Sequence, residues 1–156
     1  MSFRKWLFGL LGGQQKSQSE QALAPPPAGT ALEEEVAGLN FRTAIEAHQK
    51  WKVRLQAVID GDTSETLSVE EVSRDDRCVL GKWIHGAGKQ KFGQNELFES
   101  LQANHAHFHI CAGKVLETAL TGNKAAAQAA LGSGDFPQAS QVIVMTLAQM
   151  YTKVAN

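Results

Sequence analysis

The chain has 156 residues, with 15 lysines and arginines against 16 aspartates and glutamates, five histidines and two cysteines. This length fits a single domain that buries its own hydrophobic core without disulfide bonds. The formal net charge of −1 argues against nucleic-acid binding by phosphate neutralisation, and two cysteines cannot form a disulfide framework, so a reducing compartment is expected. The histidines are the unusual feature, because three of them fall within residues 105–109.

The first residues combine apolar side chains with positive charge. Apolar residues at positions 3, 6, 7 and 10 have the spacing of one helical face, and three basic residues without an acid give residues 1–19 a charge of +3. The apolar run stops at Gly12, so it is too short to span a bilayer or to form the core of a secretory signal peptide. Two interpretations of residues 1–13 stay open: a short amphipathic segment that contacts an anionic membrane surface through residues 1–11, or a start without fixed structure.

A linker follows and separates this segment from the folded domain. Residues 14–32 are rich in Gln, Ser, Ala and Pro, and three successive prolines favour an extended, semi-rigid chain. Such a composition buries too little apolar surface to form a core. We therefore assign residues 33–156 to the folded domain.

Amphipathic helical patterns fill the domain, and no segment shows the alternation of a half-buried strand. The predicted helices cover residues 33–59, a stretch from Ser68 to the glycines at 86 and 88, residues 96–120, residues 124–131 and residues 137–154. Asp75 is a second possible start for the second of these helices. Long amphipathic helices joined by short loops predict an all-α fold, specifically an antiparallel four-helix bundle with a flexible N-terminal extension.

The pair His105 and His109 is the first candidate for metal binding. The two residues are four positions apart, so on a helix both side chains project from the same face. This geometry suits two imidazoles on one metal ion, but such a pair also occurs as ordinary surface or core residues. His107 lies about 200° around the helix from His105 and points away.

His48 and Cys78 are candidate partners from two other predicted helices. Each lies among apolar residues, where a histidine or a free cysteine often serves only in packing. The lengths of helix that precede or follow them place both near the middle of the bundle, at a level similar to that of His105. From spacing alone, a shared metal site and a set of unrelated packing residues both stay open.

The four candidate ligands lie in three short sequence motifs. Their first residues are separated by 30 positions (78 − 48) and by 27 positions (105 − 78). In chain order they are His48-x-x-Trp51, Cys78-x-Leu80-Gly81-Lys82-Trp83 and His105-x-x-Phe108-His109. With these motifs and intervals, residues 36–151 resemble the chemoreceptor zinc-binding (CZB) domain family.

The resemblance implies a four-helix bundle that holds Zn²⁺ through three histidines and one cysteine. The implied ligands at the matching positions are His48, Cys78, His105 and His109. The residues expected to pack around the site are Trp51, Gly81, Trp83 and Phe108.

The remaining histidines and the second cysteine are expected to stay outside the site. His85 lies near a predicted helix end, His107 points away from the ligand pair, and Cys111 is interpreted as a small packing residue. Gly81 is expected in mid-helix, where a missing side chain lets a neighbouring helix approach closely.

The implied ligand set argues against catalysis. Four protein ligands fill a tetrahedral zinc site, whereas a catalytic zinc keeps one position for water, and residues 105–109 hold no acid that could act as a general base. We therefore expect no enzyme. A zinc-bound Cys78 is deprotonated, and the thiolate is the oxidisable form, so Cys78 is the expected redox-sensitive residue.

CZB domains are known as zinc-responsive and oxidant-responsive regulatory modules of bacterial chemoreceptors and diguanylate cyclases, often as dimers. The resemblance implies a cytoplasmic, homodimeric zinc-binding module in chemotaxis or cyclic-di-GMP signalling. The 156 residues contain no coiled-coil signalling region and no cyclase domain. We expect the output to pass through a chemoreceptor or diguanylate cyclase partner, or through contact of residues 1–11 with the inner face of the membrane. A structural or zinc-buffering bundle that does not switch is the alternative.

Overall fold

A computed structural model describes residues 35–155, which are mainly helical. In chain order the elements are β1 (Glu35–Val36), β2 (Leu39–Asn40), α1 (Phe41–Ile59), α2 (Val69–Ser73), α3 (Val79–Trp83), a π-helical turn (Ile84–Gly88), α4 (Lys89–Phe92), α5 (Glu96–Leu120), α6 (Lys124–Gly132) and α7 (Asp135–Val154). The prediction of an all-α helical bundle is confirmed. The expected N-terminal segment, residues 1–13, and the linker, residues 14–32, lie outside the described residues. None of the described helices is long and apolar enough to cross a membrane.

The three long helices α1, α5 and α7 form the centre of the bundle by packing against one another. The shorter helix α6 contacts all three of them, and α2 packs on α5. The inward faces bury large apolar side chains such as Phe41, Phe108 and Ile143, each 0% exposed. Because the candidate histidines lie on α1 and α5, they are enclosed by this hydrophobic core.

The first predicted helix begins at Phe41, not at residue 33 as expected. The preceding residues form a hairpin in which Val36 pairs with Leu39, and Ala37 and Gly38 close its turn with φ values of 51° and 84°. The side-chain oxygen of Asn40 then accepts a hydrogen bond from the Thr43 amide at 2.9 Å and caps α1. Strands of two residues are too short to show alternation in the sequence, which is why the pattern missed them.

The start at Ser68 does not lead into one continuous helix, because the chain leaves the helical conformation after α2, and the alternative start at Asp75 is closer to where the next helix begins. Arg74 is extended, with φ −89° and ψ 127°, and its guanidinium pairs with the Asp76 carboxylate at 2.7 Å within the loop that follows. Two aspartates in this segment also disfavour a helix interior. Helical structure resumes at Val79 and bends at Gly86 in the π-helical turn. Cys78 therefore lies at the start of a short helix and not in the middle of a long one.

The remaining predicted helices are confirmed with small changes at their ends. The helix α5 begins directly after Asn95, whose side chain accepts a hydrogen bond from the Leu97 amide at 2.9 Å, and it ends at Leu120 as expected. The Ala-rich segment forms α6, and α7 begins at Asp135, close to the expected start. The result is a continuous α5 that carries two candidate ligands one turn apart.

Candidate metal centre

Four side chains from separate parts of the chain meet inside the bundle. They are His48 from α1, Cys78 from the residue before α3, and His105 and His109 from α5. Each offers one ligand atom, and the four atoms all lie within 4.8 Å of one another. The three histidines are at most 2% exposed, whereas Cys78 is half-buried. Within residues 35–155 this is the one cluster of His, Cys, Asp or Glu that is suited to a metal ion.

Backbone carbonyl groups fix the orientation of two of the histidines. His48 Nδ1 donates to the carbonyl oxygen of Ala44 at 2.6 Å, and His109 Nδ1 donates to the carbonyl oxygen of Val72 at 2.8 Å. Because a carbonyl oxygen only accepts, each ring carries its proton on Nδ1 and leaves Nε2 unprotonated. His48 Nε2 is buried and has no hydrogen-bond partner among the described residues. A bare, buried imidazole nitrogen of this kind fits a metal ligand.

Two distances in the cluster are close to those of a tetrahedral zinc ion. His105 Nε2 lies 3.1 Å from His109 Nε2 and 3.2 Å from Cys78 Sγ. Zinc bonds of about 2.0–2.1 Å to nitrogen and 2.3 Å to sulfur require nitrogen–nitrogen edges of about 3.3 Å and nitrogen–sulfur edges of about 3.6 Å. The observed separations differ from these by only a few tenths of an ångström. Three imidazoles and one thiolate are also a donor set that zinc prefers.

Burial keeps the imidazoles in the neutral form that binds a metal. It lowers the pKa of His48 from 6.5 to about 4, although the hydrogen bond to Ala44 acts in the opposite direction. Burial also lowers the pKa of His105 to about 2, assisted by the nearby His109 and His48, and lowers the pKa of His109. Burial raises the pKa of the Cys78 thiol. A metal ion that binds here must therefore displace the Cys78 proton, while the histidines need lose none.

Cys78 reaches the centre from a loop and is held by the first turn of α3. Its Sγ accepts a hydrogen bond from the Gly81 amide at 3.3 Å. A Cβ at position 81 would lie 1.6 Å from the carbonyl oxygen of Asp75. Gly81 thus makes room for the backbone of the preceding loop, and not for a neighbouring helix as expected. Any side chain at this position would displace the loop that carries Cys78.

Two of the residues expected to pack around the site contact candidate ligands. The Trp51 ring meets the His109 ring edge-on with a centroid separation of 6.4 Å. The Phe108 ring lies 5.2 Å from the ring of His48 and 5.4 Å from that of His109. These aromatic rings limit the orientations that the two histidines adopt.

Trp83 packs elsewhere in the core. Its ring meets Phe41 at 5.6 Å and Phe98 at 5.8 Å, and its Nε1 donates to the carbonyl oxygen of Ala37 at 2.9 Å. These contacts join α3 to the hairpin and to α5. The described contacts of Trp83 therefore serve the fold around the centre and do not touch the four candidate ligands.

The other histidines and the second cysteine lie apart from the cluster. His85 is exposed and pairs with the Asp75 carboxylate at 2.8 Å. His107 is exposed on α5, and Cys111 is buried one turn further along, with its Sγ 3.5 Å from His107 Nε2. The carbonyl group of Val72 is a functional group that the sequence did not reveal, because every residue carries a carbonyl and only the fold brings this one to His109.

The comparison with known families agrees with this geometry. The family model of the chemoreceptor zinc-binding domain matches residues 48–116, a segment that contains all four candidate ligands. Residues 48–116 are therefore similar to the domains of this family. A search of curated proteins and a search of solved structures found no match to the chain.

This match supports zinc as the cofactor and a signalling module as the class of function. A CZB domain binds zinc, and in this chain three histidines and a cysteine are positioned to coordinate a metal ion. The family is regulatory and sensory, so the chain contains a zinc-binding signalling module.

Proposed function

We propose that the chain is a zinc-dependent switch of bacterial signalling, in which oxidation of Cys78 or a change in zinc availability alters the packing of the bundle. The observation that carries this proposal is the convergence of three buried imidazoles and one half-buried thiol at a single point. The proposed zinc ligands are His48, Cys78, His105 and His109. Because these four ligands complete a tetrahedron, we propose no catalytic role.

Cys78 is the ligand best suited to act as the switch. It is the single anionic donor of the set, and bound zinc would hold it as a thiolate, the form that oxidants attack. The histidines lie on the long helices α1 and α5, whereas Cys78 lies between two helices of five residues each. Loss of the bond to Cys78 would therefore release the segment between α2 and α3 more readily than the central helices.

Treatment of the zinc-loaded protein with hydrogen peroxide tests this switch. The Cys78 sulfur forms a bond to one peroxide oxygen, the oxygen–oxygen bond breaks and hydroxide leaves, giving a sulfenic acid. We expect release of one zinc ion per oxidised Cys78, together with a changed near-ultraviolet circular dichroism spectrum, because Trp51 contacts His109. Zinc release is measured with a chromophoric chelator.

The matched control is Cys111→Ser, which removes the second thiol and leaves the centre intact. This variant should release zinc at the same rate as the wild type. In a second test, wild-type protein that is reduced after oxidation should bind zinc again. Zinc release without any change in the spectrum would favour the alternative function, a structural or zinc-buffering bundle that does not switch. A response that depends on Cys111 would contradict the role of Cys78.

We propose further that the signal passes to a partner, either a chemoreceptor or a diguanylate cyclase, and that the domain acts as a cytoplasmic homodimer. Apolar side chains that remain exposed on α5 and α7 support such contacts, since Ile110, Val142 and Met145 are 40–47% exposed. Residues 1–11 would add a contact with the inner face of the membrane, because their sequence combines apolar and basic residues.

Deletion of residues 1–13 tests the membrane contact. The shortened protein should lose binding to vesicles that contain anionic lipid, because the basic and apolar side chains of the segment are gone. Its zinc content should not change, since the four proposed ligands are retained. Sedimentation with vesicles and metal analysis give the two readouts. Equal sedimentation of the full-length and shortened proteins would contradict a role for this segment at a membrane.

A further inference from the structure

A cavity of about 300 Å³ opens from the solvent onto one side of the metal centre. Its inner wall includes Cys78 and His109, and its outer wall is formed by α1, the segment before α2, and α2 itself. The cavity wall does not include His48 or His105, the other two members of the cluster. A solute in this cavity would therefore meet the cysteine side of the centre first.

The α1 side of the cavity is held by an ordered arginine. The Arg54 guanidinium lies 3.8 Å from the centroid of the Trp51 ring, and its Nε donates to the Glu65 carboxylate at 3.0 Å. A second nitrogen of Arg54 donates to the other oxygen of Glu65, so the pair is bidentate. This pair joins α1 to the segment before α2. Its two charges also cancel each other.

The remaining charges determine which solutes the cavity favours. Arg77 and Glu71 both line it and both are exposed. The charged side chains that line the cavity cancel, because Arg77 offsets Glu71 as Arg54 offsets Glu65. Zinc with three neutral imidazoles and one thiolate would carry a charge of +1, so the zinc-loaded cavity would have a net positive charge. A positive charge in a cleft raises the local concentration of anions and the rate at which they arrive.

We propose that this cavity is the entry site through which small, negatively charged, thiol-reactive solutes reach Cys78 Sγ, with Arg77 attracting them and Glu71 opposing them. The proposal rests on the proposed function, because it assigns a route to the same cysteine. Arg54 is a positioning residue that fixes the wall of the site. The favoured solutes are anionic disulfides or anionic oxidants small enough for the cavity.

Two aromatic disulfides of similar size test the charge preference, namely dithiobis-nitrobenzoate, which is a dianion, and dithiodipyridine, which is neutral. In each case the Cys78 sulfur attacks one sulfur of the reagent, the reagent's disulfide bond breaks and its second sulfur leaves as a thiolate. All proteins carry Cys111→Ser, so that Cys78 is the single thiol that reacts. The measured quantity is the ratio of the two reaction rates, anionic over neutral.

We expect Arg77→Gln to lower this ratio by about threefold or more, and Glu71→Gln to raise it by a similar factor, at low ionic strength. Lys89→Gln is the matched control, because Lys89 is exposed and lines a different cavity, formed by residues 89–96 and Lys153. The control should leave the ratio unchanged. High salt should reduce all the differences.

An unchanged ratio in both charge variants would overturn the proposal, as would an equal effect of Lys89→Gln. Zinc content is measured on the same samples, and both charge variants should retain it, because neither residue is a ligand. A wild-type protein without zinc would contradict the proposed function but not the entry site, because the changes in ratio caused by the Arg77 and Glu71 variants do not depend on zinc and are also measured on metal-free protein. The two proposals are thus tested separately.

Discussion

Alanine in place of Cys78 or His48 is expected to weaken zinc binding strongly and to lower the zinc content of the purified protein. Each change removes one of four donors, and zinc sites of this kind bind with about 10–16 kcal/mol in total, so one donor contributes about 3 kcal/mol. The affinity should therefore fall by about a hundredfold or more. The loss should be similar for both variants, because both residues offer ligand atoms to the same point, within 4.8 Å of all the others.

Metal analysis of the purified proteins after gel filtration measures this effect. Cys111→Ala and His107→Ala are the matched controls, because both residues lie on α5 but outside the cluster. They should keep one zinc ion per chain. Stoichiometric zinc in both the Cys78 and the His48 variant would contradict the ligand assignment. Zinc retained by one variant alone would show that the ion is held by a different set of four residues.

Metal-free protein is expected to lose stability steeply when the pH falls below about 6.5. Histidines in the unfolded chain take up protons near this pH, whereas burial holds the pKa of His48 at about 4 and that of His105 at about 2 in the folded state. The unfolded state therefore binds more protons than the folded state in this range. As the pH is lowered, the free energy of unfolding decreases until the pH reaches the folded pKa. For His48 alone the loss between pH 6.5 and 4 is about 3 kcal/mol.

Urea unfolding in the presence of a chelator, at pH 7.5 and at pH 5, measures this loss. His48→Gln should flatten the dependence on pH, because it removes one of the buried groups that titrate on unfolding. His107→Gln is the control and should leave the dependence as in the wild type, since this side chain is exposed. Equal stability of the metal-free wild type at both pH values would contradict the expectation.

The helices that carry most of the site follow from local sequence. Asn95 and the apolar periodicity behind it predict α5, and once that helix exists the four-residue spacing of His105 and His109 places both on one face. The core face of α1 was predicted in the same way and includes the buried His48. Local propensity and side-chain periodicity are enough for these elements, because their hydrogen bonds are made within the helix.

The segment between α2 and α3 could not be predicted in this way. The apolar positions on both sides of it suit one helix, but the chain breaks at Arg74 and Cys78 becomes the cap of α3. The break depends on the approach of the Asp75 carbonyl to Gly81 and on the packing of α2 against α5. The periodicity of apolar residues along one helix contains no information about either contact.

The sequence by itself determined the helical class of the fold, the pairing of His105 with His109 on one face and, through its three motifs, the resemblance to the zinc-binding family. Only the tertiary structure decided how Cys78 meets the histidines, which ring nitrogens face the centre and which side of it a solute reaches. The physical reason is that donor chemistry is carried by side chains, which the sequence specifies. Orientation depends on contacts such as that of His109 with the carbonyl oxygen of Val72, 37 positions away, which exists only when the fold brings the two residues together.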